Sequence, residues 1–77
     1  MKAEWKYVVY RDDAGDEIIE TFGVAVVHKD FVQRAGIALN RLVSAGFATR
    51  DRECFGASTS LSLNSRPRQD TALLRDE

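Results

Sequence analysis

Val43-Ser44-Ala45-Gly46-Phe47-Ala48-Thr49 and, after the charged loop Arg50-Asp51-Arg52-Glu53, Cys54-Phe55-Gly56-Ala57-Ser58-Thr59-Ser60-Leu61-Ser62-Leu63 are the segments whose reading decides the fold. In the second, Phe55, Ala57, Thr59, Leu61 and Leu63 alternate with Cys54 and small residues. Period two over this length predicts a strand with one buried face. In the first, positions 43, 45, 47 and 49 alternate with Ser44, Gly46 and Ala48. A helix running through Leu42 to a C-cap at Gly46 is the competing reading. The strand is preferred, because residues 50–53 then form a hairpin loop to a convincing partner. If the two strands pair, Ser44 and Gly46 join Ser58 and Ser60 in a sheet face with almost no side chain. Such a face lets another backbone, a helix or a flat ligand approach closely. The alternatives are a solvated face, or one covered by the C-terminal helix through Ala72 and Leu73.

Upstream, Glu4 to Tyr10 is rich in aromatic and β-branched residues and predicts a strand. Arg11 to Asp16 is a turn cluster in which Gly15 suits a hairpin loop with a bulge. A second strand is expected from Glu17 to about Val27, with a bulge where its period slips at Gly23. Asp30 is expected to cap a helix beginning at Phe31. Downstream, Asn64-Ser65-Arg66-Pro67 breaks the pattern. Ser65 is placed to cap a short helix whose first turn tolerates Pro67, with Ala72, Leu73 and Leu74 as its apolar patch. The last three residues are expected to fray. The fold class is therefore α+β: two β-hairpins joined by a helix, plus a short C-terminal helix (ββαββα), built on one small, mainly antiparallel sheet.

The 77 residues allow one domain, residues 1–77, with no internal repeat, linker or low-complexity tract. A folded chain of 8.6 kDa is expected to expose roughly 4,700 Å² and to bury roughly 60% of what its unfolded chain exposes. That is a thin core, and a second subunit sharing it is a natural remedy. Other staples are lacking. One cysteine forms no intrachain disulfide, and one Cys with one His is too few for a structural zinc site. The lone thiol fits a reducing compartment, no signal-peptide pattern follows the charged start, and apolar runs such as Val24 to Val27 are far short of a membrane span. A cytoplasmic location is the expectation. Net charge is −1 but uneven: residues 1–30 carry four Lys/Arg against seven Asp/Glu, and residues 31–68 carry six Arg against two acids. These are either two solvated, complementary faces or an Arg-bearing surface for an acidic partner.

Ser44-Ala45-Gly46-Phe47, Cys54-Phe55-Gly56, Ser58-Thr59-Ser60-Leu61 and Ser65-Arg66-Pro67 with Asp70 stand in fixed order across roughly residues 44–74. In these pieces the chain resembles a group of short, uncharacterised bacterial and phage proteins. The resemblance implies no activity and no catalytic or binding residue. It does favour a strand through Phe47 over a long helix.

Each chemically interesting side chain has a structural reading beside the functional one. His28, the single histidine, is a general base only with a nucleophile or orienting acid in reach, and otherwise a junction residue. Cys54 is a nucleophile only if a cation such as Arg50 or Arg52 lowers its pKa, and otherwise a small packing residue. Asp12, Asp13, Asp16 and Glu17 are dense in carboxylates, but the alternating order of a calcium loop is missing, so a solvated turn is preferred. No cofactor, metal or catalytic set is expected. The candidate interaction surface is Ser44, Gly46, Ser58 and Ser60 with Arg50, Arg52, Arg66 and Arg68. The leading expectation is a non-catalytic protein-interaction module acting as a homodimer, with no membrane partner. The alternative is an accessory nucleic-acid binder that uses Arg50/Arg52 and Arg66/Arg68, against which stand the slightly acidic balance and the missing aromatic interleaving.

Overall fold

The computed structural model describes residues 2–76. Strands β1 (Trp5–Arg11) and β2 (Glu17–Phe22) form the N-terminal hairpin, paired without interruption from Arg11 opposite Glu17 to Lys6 opposite Phe22. The loop closes as expected. The Asp12 amide donates to the Asp16 carbonyl at 2.9 Å, and the Gly15 amide to the Asp12 carbonyl at 3.0 Å. Asp12 Oδ1 also accepts from the amides of Ala14 and Asp16, both at 2.9 Å, so this aspartate builds the turn itself.

Strand β2 ends at Phe22 and not at Val27. A strand is as long as its partner allows, and β1 pairs no further back than Lys6 opposite Phe22. The apolar run beyond it therefore has no partner; it turns, with the Val26 amide donating to the Gly23 carbonyl at 3.1 Å, and leaves Val24 and Val27 exposed. The helix α1 (His28–Ala35) follows directly, so Asp30 lies in its first turn and is not its cap. Starting at His28 seats that ring edge-on between Phe22 and Phe47, with ring centres 5.4 and 5.8 Å away.

A 3-10 turn (Leu39–Arg41) leads into β3 (Leu42–Ala48), which settles the competing helix and strand readings in favour of the strand. β3 lies antiparallel to β1, with Trp5 opposite Ala48 and Val9 opposite Ser44. The register shifts between Val9 and Tyr10, so the bulge sits at Val43 in β3 and not at Gly23. With β4 (Cys54–Phe55) the sheet order is β2-β1-β3-β4, antiparallel throughout.

The expected long strand from Cys54 to Leu63 is broken into three. After β4 come β5 (Ala57–Ser58) and β6 (Leu63–Asn64), which pair with each other as a separate two-stranded sheet. The register of β3 with β4 would next place Gly46 opposite Gly56. That ladder does not continue: beyond Phe55 the chain turns into the second sheet. Gly46 O accepts from His28 Nε2 at 2.9 Å, and Gly56 O from the Ser65 amide at 3.0 Å. Gly56 itself, at φ 79°, bends the chain against the Phe47 ring. Short hairpin arms alternate just as one long strand does, which is why periodicity alone misses the break.

The helix α2 (Pro67–Arg75) closes the fold; Arg66 is its cap residue, in place of Ser65, and Arg75 belongs to it. The Asp76 amide donates to the Ala72 carbonyl at 3.1 Å, so of the expected frayed end only Glu77 lies outside the described residues. Both sheet faces are covered. Tyr7, Val9, Ile19, Ala48 and Cys54 pack with Leu74 of α2, and Val8 and Ala45 pack with Val32 of α1. The accessible surface is 4815 Å², close to that expected for a folded monomer of this mass.

Candidate functional site: a buried carboxylate and an open sheet edge

Asp70 is fully buried and is the centre of the molecule's polar chemistry. Its Oδ1 accepts from Ser44 Oγ at 3.0 Å, Arg66 Nε at 3.0 Å and Arg66 Nη2 at 2.9 Å. Its Oδ2 accepts from the Tyr7 hydroxyl at 2.5 Å and from the Arg66 amide at 2.8 Å. Arg66 continues outward as a fork onto Glu17, Nη1 to Oε2 at 3.0 Å and Nη2 to Oε1 at 2.8 Å. Arg11 reaches Glu17 from the other side at 3.3 Å. β1, β2, β3 and α2 are thus tied together through one carboxylate. Burial, reinforced by the bond to Asp70, pushes the Tyr7 hydroxyl far above the ordinary phenol range. The Arg66 fork holds Glu17 below the usual carboxylate range. Among the described residues no buried side-chain nitrogen or oxygen lacks a partner. A carboxylate already filled by donors has no lone pair directed at a substrate, so this cluster acts as an internal tie.

The small-residue surface meets the chain itself. Ser44, Gly46 and Ser58 are buried, which corrects the expectation that they form an outward face. A Cβ on Gly46 would lie 2.4 Å from the Phe55 carbonyl oxygen and 3.1 Å from Ser65 Cβ. The backbone that approaches Gly46 is therefore the protein's own, at the crossing from β4 into the second sheet. Ser58 Oγ accepts from the Leu61 amide at 3.3 Å, and only Ser60, whose Oγ accepts from the Lys29 amide at 3.2 Å, is exposed.

The arginines separate into two sets. Arg66 is spent on Glu17 and Asp70 and is not available to an outside anion. Arg50, Arg52 and Arg68 are exposed, and Arg52 adopts φ 66° in the β3–β4 loop. Arg52 also lines, with Trp5, Thr21 and Leu74, a cavity of about 220 Å³ beside β2.

The other candidates for chemistry are sequestered. His28 is buried, and since a carbonyl only accepts, its Nε2 carries the proton donated to Gly46 O. Burial holds its imidazole below the usual pKa. The Cys54 thiol is buried and pushed up to about 11 by desolvation, the reverse of nucleophile activation. Asp13 pairs with Arg41 at 2.7 Å, and no cluster of three or more His, Cys, Asp or Glu among the described residues is placed to hold a metal. Asp70 was missed at the sequence level. Its signal was available: it lies four residues before Leu74, so an acid stands on the apolar stripe of α2.

The outer edge of β2, one of the two terminal strands of the sheet, has no strand partner; along it Thr21 is exposed and Ile19 is buried. Asp12 and Asp16 form a hydrogen-bonded pair, so alternation along an unbroken register makes 10/18, 8/20 and 6/22 the bonded pairs with β1. The amides and carbonyls of Glu17, Ile19 and Thr21 consequently point away from β1. Strand edges are ordinarily guarded by lysine, proline, bulges or free charges. β2 has no lysine, proline or bulge, and both of its acids are held by their own chain, Glu17 by Arg66 and Glu20 by the Tyr10 hydroxyl. The described residues contain no helix long and apolar enough to cross a membrane. Comparison with known proteins finds no matching family, no similar characterised protein and no similar solved structure.

Proposed function

We propose that this chain is a non-catalytic protein-interaction module that engages its partner along the free edge of β2. The carrying observation is the row of main-chain groups at Glu17, Ile19 and Thr21 that β1 does not pair, exposed at Thr21, half-buried at Glu17 and buried at Ile19, on a strand anchored in the core by Ile19. Strand addition at such an edge takes its affinity from main-chain hydrogen bonds and its specificity from alternate side chains. The sequestration of His28, Cys54 and Asp70 supports the same reading, since the side chains best suited to chemistry are occupied inside the fold. The buried free thiol suits a reducing compartment, and we assign the protein to the cytoplasm. A photo-crosslinking residue in place of Thr21, compared with one in place of the exposed Ala72, tests the reading in cells. Adducts formed from position 21 and not from 72 are expected; equal trapping from both positions, or none from 21, refutes it.

A second reading, nucleic-acid binding, is favoured by the exposure of Arg50, Arg52 and Arg68, none of which forms an ion pair among the described residues. It predicts binding to DNA or RNA that weakens steeply with salt and is lost in Arg50→Ala/Arg52→Ala/Arg68→Ala. Absence of binding at low salt removes it.

A further inference from the structure

We propose that the cavity between the C-terminal end of α2 and the sheet binds a small monocarboxylate with an aromatic or aliphatic body, held by Arg52 and Trp5. The proposal stands apart from the edge reading above and does not depend on it. The cavity has a volume of about 220 Å³ and is lined by Trp5, Thr21, Arg52 and Leu74. These residues come from the start of β1, the end of β2, the β3–β4 loop and the last turn of α2. Thr21 lies opposite Tyr7, on the sheet face that packs on Leu74. Trp5 and Leu74 belong to the packing around Tyr7, Val9 and Ile19, so the core holds the apolar wall in place. Pockets for drug-sized ligands run to roughly 300–1,000 Å³, so this one has room for a single ring or a short chain.

Arg52 supplies the polar recognition. Its backbone sits at φ 66°, in the left-handed region that favours glycine, and Ser62 is the one other non-glycine residue there among those described. The turn fixes that conformation: the Arg52 amide donates to the Thr49 carbonyl and the Thr49 amide to the Glu53 carbonyl, both at 2.9 Å. Glycine would make the same turn without strain, so the turn does not account for the side chain. A guanidinium carries five N–H donors. Its one hydrogen bond among the described residues is long, from Nη1 to the Leu74 carbonyl at 3.5 Å, and it forms no ion pair there. Asp51 and Glu53, its neighbours in the loop, do not line the cavity. A cationic fork therefore stands beside an apolar wall with no described acid to fill it.

The surroundings select the ligand. A planar carboxylate matches an arginine fork through two parallel hydrogen bonds. The Leu74 carbonyl belongs to the last turn of α2, the negative end of the helix dipole. That end disfavours a dianion such as phosphate and tolerates a single charge neutralised by Arg52. The ligand's apolar body then lies against the Trp5 indole and Leu74, with the Thr21 hydroxyl at the rim.

Trp5 is the single tryptophan, so its fluorescence reports occupancy. Titration with phenylacetate is expected to change the emission with a dissociation constant on the order of 1 mM. Acetate lacks the apolar body, phenylacetamide lacks the charge, and inorganic phosphate carries too much of it. Each is expected to bind at least about tenfold more weakly. Arg52→Gly suits the local backbone, so it is expected to keep the fold, as urea melts would show, and to lose at least about tenfold in affinity. Arg50→Ala removes a charge from the same loop outside the cavity and is expected to leave binding unchanged. No change in emission up to tens of millimolar phenylacetate overturns the site. Phenylacetamide or phosphate binding as tightly as phenylacetate overturns the ligand class. Equal weakening by Arg52→Gly and Arg50→Ala, or none by Arg52→Gly, overturns the role of Arg52.

Discussion

Replacing Asp70 by Asn keeps the shape of the side chain and turns one of its acceptors into a donor. Oδ2 faces the Tyr7 hydroxyl and the Arg66 amide, and Oδ1 faces Ser44 Oγ and two nitrogens of the Arg66 guanidinium. The two hydroxyls can rotate to accept; the N–H groups cannot. Whichever way the new amide is turned, at least one N–H donor confronts another inside a site with no access to water. The loss of a hydrogen bond to a charged group costs about 1.5–3 kcal/mol, and breaking a buried ion pair about 3–5 kcal/mol. Arg66 keeps Glu17, so the lower part of the second range applies, and about 3 kcal/mol is expected. A domain of this size has roughly 4–12 kcal/mol in total. At roughly 4–8 °C per kcal/mol the melting temperature falls by roughly 12–24 °C. Thermal and urea melts followed by circular dichroism measure it directly. If Asp70→Asn melts within about 1 kcal/mol of the parent, the carboxylate is not the tie described above.

Three further outcomes follow from separate parts of the fold. Gly46→Ala drives a Cβ into the Phe55 carbonyl and is expected to cost about 3 kcal/mol or to prevent folding, whereas Gly23→Ala, with open space around it, stays within about 0.5 kcal/mol; equal melts for the two would refute the close approach. Stability falls with acid in two stages. His28 is held neutral in the fold, so below about pH 6.5 the unfolded chain takes up a proton that the folded chain refuses. The depressed Glu17 adds a second loss below about pH 4.3. His28→Asn should flatten the first stage in urea midpoints measured against pH. Iodoacetamide should label Cys54 at neutral pH only after denaturation; labelling of the native protein at the rate of a free thiol would contradict its burial.

The parts of this fold that neighbours in sequence determine were readable from the sequence. The Asp12–Gly15 turn needs an aspartate and a glycine three apart, and the Arg50–Glu53 loop follows from the charged break between two alternating runs. What was hidden depends on distant groups. Val24 to Val27 is good strand sequence, and only the extent of β1 denies it a partner. The run from Cys54 to Leu63 alternates without a fault, and what divides it is the turn at Gly56 and the pairing of β5 with β6, neither of which the alternation registers. The candidate site shows the same limit. Close approach was one of the readings open for the small residues, and at Gly46 what approaches is the chain's own backbone. The free edge of β2 was invisible, because a strand's sequence does not say whether it ends a sheet.

Tyr7 and Asp70 are 63 residues apart, and each is the other's hydrogen-bond partner. During synthesis the hairpin of β1 and β2 emerges well before the carboxylate that satisfies its buried hydroxyl, which lies on α2. Until Asp70 is available, Tyr7, Ser44 and Arg66 lack the group that gathers them, and β3 lacks its cover. The sheet face that packs on Leu74 therefore has no cover until α2 has been made, whereas the face that packs on Val32 is supplied with its helix earlier. A chain that stops short of Asp70 leaves the Tyr7 hydroxyl, Ser44 Oγ and the Arg66 guanidinium without their shared acceptor.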